Sequence, residues 1–149
     1  MAKVDLIVKN GTVVTPTSEA KLDVAIDGGK FVAIAAPGTL GLEAKETYDA
    51  TGKYVIPGGI DVHTHLDLPL AGTVVSDDFE SGTRAAAWGG VTTVVDMANQ
   101  EYEANVFDGL AEWHEKAAGK CAVDYSFTMM ISSVNDFVCA VSPSSWPRT

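Results

Sequence analysis

Apolar and polar residues alternate in short runs from the start of the chain to about Thr51. Strict alternation is typical of half-buried β-strands, and dipeptides that accept positive φ, such as Asn10-Gly11, favour hairpin turns. A second turn is indicated at Asp27-Gly28-Gly29-Lys30. These signals predict a small antiparallel β module built from the runs Val4-Leu6-Val8, Val13-Val14, Leu22-Val24-Ile26 and Phe31-Val32-Ile34.

From Tyr54 onward, apolar strand-like runs alternate with helical segments. A first helix is predicted after Ser76, a good N-cap, and is expected to end at Gly89-Gly90. The β-branched run Val91–Val95 predicts a parallel strand covered on both faces. A second helix, ended by Gly119, and a third strand at Val123–Ile131 follow. The second helix has one apolar side, formed by Val106, Leu110, Trp113 and Ala117.

Strand, helix, strand, helix, strand predicts an α/β fold with a parallel sheet and right-handed crossovers. A closed (β/α)8 barrel of the TIM type takes about 250 residues. Only 96 of the 149 residues follow Lys53, which leaves room for about three of its eight βα units. We expect a β module over residues 1–53, the start of a barrel over 54–134, and an irregular or artificial tail over 135–149.

Composition narrows the classes of partner. The formal net charge of −10 disfavours nucleic acid and anionic membrane surfaces. The first residues carry no apolar leader and no run of residues is long enough to span a bilayer, so a cytoplasmic protein is expected.

The residue pattern with the clearest chemical meaning is His63-Thr64-His65, directly after an apolar strand. Residues i and i+2 of a strand point to the same side, so both imidazoles can reach one metal ion. The carboxyl end of a barrel strand is also where such enzymes place their catalytic groups. The alternative is a pair of hydrogen-bonded histidines at the end of a strand.

Four motifs in this order resemble the hydantoinases and dihydropyrimidinases of the amidohydrolase superfamily. They are Asp5-Leu6-Ile7-Val8-Lys9-Asn10-Gly11, Pro57-Gly58-Gly59-Ile60-Asp61-Val62-His63-Thr64-His65-Leu66-Asp67, Asp77-Asp78-Phe79-Glu80-Ser81-Gly82-Thr83 and Gly89-Gly90-Val91-Thr92-Thr93. The resemblance covers nearly the whole chain, from near Val4 to about Val134. It identifies the chain as the N-terminal part of such a protein.

The resemblance implies a (β/α)8 barrel, a β-sandwich formed by both chain ends, and a homotetramer or homodimer. It also implies two divalent ions, with zinc expected, bridged by a carbamylated lysine and a hydroxide that attacks the ring carbonyl. His63 and His65 match the pair that ligates the more buried ion. The implied activity is hydrolysis of a C–N bond in a cyclic amide, which opens a hydantoin or dihydropyrimidine ring.

The ligand set that the resemblance implies is larger than this chain provides. It requires four histidines, a lysine beyond the third strand and a late aspartate, whereas no lysine follows Lys120 and the third histidine, His114, lies on a predicted helix beside Trp113. We therefore expect no complete catalytic residue set, and no turnover, in the chain alone.

The segment after the histidines bears on the substrate. Dihydroorotases of the superfamily carry an arginine two residues after the second histidine, where it receives a carboxylate, and this chain has Asp67 there. A neutral cyclic ureide or imide is therefore the expected small-molecule partner. Leu66, Leu68 and Leu70 resemble a loop that shapes the substrate pocket, and simple packing of these leucines at the barrel mouth is the alternative.

Two other classes of function fit parts of the pattern. One is a non-catalytic, dihydropyrimidinase-related interaction protein, which would have no physical need for the two histidines. The other is a small open α/β binding module, which would leave unpaired sheet edges.

Overall fold

The structure is a computed structural model that describes residues 3–136 and Val138. The chain divides into two compact units, Met1–Pro57 and Gly58–Thr149. The first unit is formed by β-strands, and the second combines β-strands with α-helices.

The first unit is one five-stranded sheet in which β1 lies between β2 and β4. β2 and β3 form the antiparallel hairpin that was predicted around Gly28-Gly29. Val4, Ile7 and Ala25 form a buried cluster in this unit. The strands are β1 (Lys3–Val14), β2 (Glu19–Asp27), β3 (Lys30–Ala35), β4 (Glu43–Asp49) and β5 (Tyr54–Val55).

Two predictions for this unit are wrong. Asn10-Gly11 is a bulge inside the continuous strand β1, where the pairing with β2 shifts register, and the buried carboxylate of Asp23 accepts the Asn10 amide at 2.8 Å. The sheet is also mixed, since β4 and β5 both pair parallel with β1. In residues 3–57 the strands form this single sheet and no sandwich.

The second unit has the predicted alternation of strands and helices. Its three-stranded parallel sheet has the order β10-β9-β6, as expected for strands joined by helical crossovers. A short antiparallel hairpin follows β6. The elements are β6 (Gly59–Thr64), β7 (Pro69–Leu70), β8 (Thr73–Val74), α1 (Phe79–Trp88), β9 (Val91–Asn99), α2 (Val106–Ala117) and β10 (Asp124–Met130).

Helix α1 begins two residues later than predicted. Asp78, not Ser76, is the N-cap: its carboxylate accepts the Ser81 amide at 2.7 Å, and the Ser81 hydroxyl accepts the Asp78 amide at 3.1 Å. This reciprocal pair is a capping box, and it satisfies two amides that would otherwise have no partner. The helix ends at Gly89, as the sequence indicated.

Helix α2 packs its predicted apolar side against β9. Val106, Trp113 and Ala117 are buried, and the side chain of Asn105 caps the helix by accepting the Phe107 amide at 3.0 Å. Gly109 is buried at the contact, where a Cβ would lie 2.4 Å from the carbonyl oxygen of Asn99. The helix can therefore approach the strand this closely only with glycine at position 109.

The core of the second unit lies between the helices and one face of the sheet. Its buried residues are Leu66, Leu68, Phe79, Ala98, Trp113 and Ala117. Leu66 lies over α1 at Gly82, where a Cβ would stand 2.4 Å from the leucine Cδ2. The loop that follows β6 is therefore part of the core.

The sheet is covered less completely than the sequence predicted. On β9 the helix-facing residues Val94, Asp96 and Ala98 are buried, but Val95 and Met97 on the opposite face are only half-buried. β6, at the edge of the sheet, exposes Ile60 and Val62 by 65% and 67%. The prediction that β9 is covered on both faces is therefore wrong for the described residues.

The predicted irregular tail lies almost wholly outside the described residues. Asp136 and Val138 are helical, and the Asn135 side chain accepts the Val138 amide at 3.1 Å. Within the part of the chain that the structure describes, neither helix has the length and apolar content of a membrane-spanning segment.

Gly109→Ala should destabilise the chain by about 1–3 kcal/mol, because a methyl group would force α2 away from a backbone oxygen by more than the gain in helix propensity offsets. Urea unfolding followed by circular dichroism measures the change. Gly89→Ala is the matched control, since its Cβ would meet the Ala86 carbonyl at 3.4 Å. Equal stability of the two variants would contradict the close approach at Gly109.

The Asp78 cap should make α1 sensitive to acid. The hydrogen bond from the Ser81 amide lowers the pKa of the Asp78 carboxyl. A lowered pKa means that the stabilisation is fully present above the unfolded-state pKa of about 3.9 and is lost as the pH falls through the folded-state value. In thermal melts from about pH 6 to about pH 2, the wild type should lose stability more steeply than Asp78→Asn, which caps without a charge. Parallel curves would refute this role.

Candidate metal-binding site

The two histidines of the HxH motif lie at the carboxyl end of β6. The register between β6 and β9 shifts between Asp61 and Thr64, so β6 carries an extra residue at this point. Such bulges change the direction of side chains and are common beside active sites. His63 lies within the bulge, where its amide donates to the Asp61 carboxylate at 3.1 Å, and His65 follows the last residue of the strand.

The ring nitrogens of the two histidines converge. Nε2 of His63 lies 3.2 Å from Nε2 of His65, and the rings meet edge to face with centroids 5.0 Å apart. Two nitrogens bound to one tetrahedral zinc, each at about 2.0–2.1 Å, are separated by about 3.3–3.4 Å. The spacing therefore fits two ligands of a single ion.

The same spacing also fits a hydrogen bond in which one Nε2–H donates to the other ring, the alternative given by the sequence. Both histidines are exposed. In residues 3–136 and Val138, no group of three or more His, Cys, Asp or Glu side chains could hold a metal ion. The described residues thus offer two protein ligands, and solvent would complete the coordination.

His114, the third histidine, does not form a metal-binding group with this pair in the part of the chain that the structure describes. It is half-buried on α2, and its ring packs edge-on against Phe127 of β10 with centroids 4.9 Å apart. His114 lies on a helix, as predicted, and its ring contributes to packing.

Thr64 and Leu66, on either side of His65, are bound to one buried carboxylate. Oδ1 of Asp96 accepts the Thr64 hydroxyl at 2.7 Å and the Leu66 amide at 2.9 Å. Oδ2 of Asp96 accepts the Trp113 indole N–H at 3.0 Å. Asp96 is fully buried, so this carboxylate ties the end of β6 to α2.

The chain turns sharply after Leu66. Asp67 has φ +52°, in the left-handed region that costs a residue with a Cβ about 1 kcal/mol or more. Its amide donates to the Asp77 carbonyl at 3.0 Å, and its carbonyl accepts Nζ of Lys116 at 3.3 Å. Lys116 is itself held by Glu112 at 2.7 Å and lies over the Trp113 ring. These contacts hold the strained turn in place.

The three leucines proposed for a substrate pocket have different environments. Leu66 and Leu68 are buried in the core of the second unit, whereas Leu70, on the hairpin strand β7, is 60% exposed. The first two pack the core, and Leu70 is the one with free surface for another molecule.

A second buried polar residue organises the loops beyond β9 and β10. The Gln100 side chain donates to the Ala104 carbonyl at 2.8 Å and accepts the amides of Ser132 and Ser133 at 3.0 and 3.2 Å. This residue brings together the carboxyl ends of two neighbouring strands. In the sequence, Gln100 is indicated only as a polar residue directly after a strand.

Comparison with known proteins agrees with this geometry. The model of the amidohydrolase family matches residues 54–143, which include both histidines and Asp96. The chain belongs to the amidohydrolase family.

Within this family, the chain is similar to hydantoinases and dihydropyrimidinases. It is 50% identical over 132 residues to a D-hydantoinase of Streptomyces coelicolor, covering 87% of this chain and 28% of that protein. The resemblance inferred from the four motifs is confirmed.

Solved structures in this amidohydrolase group have the same fold over the matched region. A dihydropyrimidinase from Brevibacillus agri superposes with a TM-score of 0.81 at 48% identity, covering 89% of this chain and 28% of that one. A D-hydantoinase from Bacillus sp. AR9 gives 0.85 at 48% identity, covering 90% and 29%. The chain therefore spans less than a third of the length of these relatives.

We expect the histidine pair to bind Zn²⁺. His63→Ala and His65→Ala should each weaken binding by more than about tenfold, since even residues that only orient a ligand contribute about 10–100-fold. Competition with a chromophoric chelator measures the affinity.

His114→Ala is the matched control and should leave the zinc affinity unchanged, because its ring packs on Phe127. Equal loss in all three variants, or none in the first two, would favour the simple ring-to-ring hydrogen bond.

Proposed function

We propose that this chain supplies the N-terminal part of the active site of a metal-dependent hydrolase that opens a cyclic amide ring. The observation that carries the proposal is the convergence of His63 and His65 to 3.2 Å at the end of a parallel strand. The likeness to D-hydantoinases and dihydropyrimidinases supports the substrate class.

The donor set suits a divalent ion of the zinc type. Imidazole nitrogens are preferred zinc ligands, and two of them converge to 3.2 Å at positions 63 and 65. When bound, such an ion lowers the pKa of a coordinated water to about 7 and polarises a carbonyl oxygen. In the proposal His63 and His65 hold the ion, and the hydrogen bonds from Thr64 and Leu66 to Asp96 keep the His65 ring aligned.

The parallel strands β6, β9 and β10 are, in this proposal, the first strands of a (β/α)8 barrel. The open edge of β6 and its exposed Ile60 and Val62 support this, because a closed barrel would pair and cover such a strand. A second ion, a carbamylated lysine that bridges the pair of ions, a homo-oligomer and a cytoplasmic location are further parts of the proposal for the longer protein.

A neutral cyclic ureide or imide is the proposed substrate. Asp67 offers no positive charge to a substrate carboxylate. Its backbone amide and carbonyl are hydrogen-bonded within the turn after the histidines. Any apolar contribution from the Leu66, Leu68 and Leu70 segment would come from Leu70, which has exposed surface.

A chimaera tests the proposal. Replacing the matched 132 residues of the Streptomyces coelicolor D-hydantoinase by those of this chain should give an enzyme that opens hydantoin or dihydrouracil, measured by loss of ring absorbance. The substituted segment carries both histidines, so it would supply functional ligands if the proposal is correct.

His65→Ala in the chimaera should lower kcat/KM by about 100-fold or more, since a catalytic metal contributes several kcal/mol to transition-state stabilisation. His114→Ala should leave kcat/KM within about twofold, as expected of a residue that touches no substrate. A folded, inactive chimaera, or one that tolerates His65→Ala, would contradict the proposed function.

A further inference from the structure

The two metal-binding candidates lack strong anchors of their own. His63 and His65 are exposed, and the ring contacts the structure gives them are with each other. An exposed side chain on a strand end samples several rotamers, and ordering it on binding costs free energy. The aligned rings therefore have to be fixed through the backbone that carries them.

The backbone on both sides of His65 is fixed by Asp96. The Thr64 hydroxyl and the Leu66 amide both donate to Oδ1 of Asp96, at 2.7 and 2.9 Å. Thr64 is also the register partner of Asp96 in the β6–β9 ladder. Because the residues immediately before and after His65 are bound to the same oxygen, the peptide that carries its side chain has little freedom to rotate.

The carboxylate is itself held from the opposite side. Oδ2 accepts the indole N–H of Trp113, which is 2% exposed and packed in the helix-facing core. Asp96 faces α2, and the Thr64 hydroxyl and the Leu66 amide reach it from β6 and from the loop after β6. The position of His65 is thus set by the core under the sheet.

We propose that Asp96 is a positioning residue for the metal site, acting on His65 through Thr64 and Leu66. The hydrogen bonds from Thr64 and Leu66 to Asp96 are called the clamp below. The inference rests on the proposed function, since the clamp acts on the same histidine pair. Asp96 accepts hydrogen bonds from Thr64, Leu66 and Trp113, so it acts on the His65 ring through the residues that flank it.

The strained turn at Asp67 supports this role. A left-handed backbone at a residue with a Cβ persists only where surrounding contacts determine it. Here Lys116 and Asp77 bind Asp67, while Asp96 binds the preceding residue. The clamp and the turn together fix residues 64–67 as one rigid segment.

Thr64→Val removes the hydroxyl but keeps the shape of the side chain, so it tests the clamp without emptying the core. We expect zinc to bind about tenfold more weakly, as is typical when a group that orients a ligand is lost. In the metal-free chain, the Leu66 amide should exchange faster with solvent, and the His65 ring should become more mobile by NMR relaxation.

Thr64→Ser keeps the hydroxyl and should restore zinc affinity to within about twofold of the wild type. Thr83→Val is the control for general destabilisation. Thr83 is buried on α1, where its hydroxyl donates to the Phe79 carbonyl and accepts the Ala122 amide, far from the histidines in sequence. It should lower the thermal midpoint and leave zinc affinity unchanged.

Asp96→Asn tests the carboxylate directly. Its amide can present one oxygen, either to Thr64 and Leu66 or to the Trp113 indole, so one side of the clamp loses its acceptor. We expect increased His65 ring mobility and weaker zinc binding than in the wild type. If this variant does not fold, the comparison of Thr64→Val with Thr64→Ser tests the proposal.

Unchanged zinc affinity and ring mobility in Thr64→Val would overturn the proposal, as would equal losses in Thr64→Ser and Thr64→Val. If the wild-type chain binds no zinc, the proposed function fails separately. The clamp is then judged by the metal-free measurements alone, where an immobile His65 ring in Thr64→Val would refute it.

Discussion

The fold of the second unit depends on one buried carboxylate, that of Asp96, which lies where β6, the loop after it and α2 meet. An ionised carboxylate removed from water costs several kcal/mol unless donors replace its hydration. Asp96 receives a hydroxyl, a backbone amide and an indole N–H, one from β6, one from the loop after it and one from α2. β6, β9 and α2, which are separated in the sequence, must therefore come together before this group is satisfied, which favours a single arrangement.

The chemistry of the site depends on an irregularity near the carboxyl end of β6. Simple alternation would already place residues 63 and 65 on one side. The bulge between Asp61 and Thr64 changes the course of β6, and it is in this distorted setting that the ring nitrogens converge. The Asp61 side chain satisfies the His63 amide there, so the ladder is interrupted without leaving that donor unpaired.

Much of the second unit could be predicted because each signal is local. Capping and terminating residues located α1 to within two residues, the apolar side located α2, and the β-branched run located β9. The errors arose where contacts between residues distant in the sequence override a local signal. Asn10-Gly11 forms a bulge because Asp23, thirteen residues away, binds the Asn10 amide. Both faces of β9 were expected to be covered, but coverage depends on how many layers pack around a strand.

The candidate site was predicted only as far as the His63/His65 pair. Its support was less visible, because a threonine and a tryptophan that bind one aspartate lie 32 and 17 residues from it. Asp96 could be noticed as a polar residue that ends an apolar strand, but nothing in the sequence names its donors. Burial of Leu66 and Leu68 likewise depends on α1, which folds over them from later in the chain.

The contact between Leu66 and Gly82 limits how the site can diverge during evolution. The leucine amide is bound to Asp96, so Leu66 cannot retreat from α1 without displacing the neighbouring histidine. A side chain at position 82 would stand 2.4 Å from the leucine methyl group. Positions 66 and 82 should therefore change as a coupled pair in related sequences, with a larger residue on the helix accompanied by a smaller one in the loop.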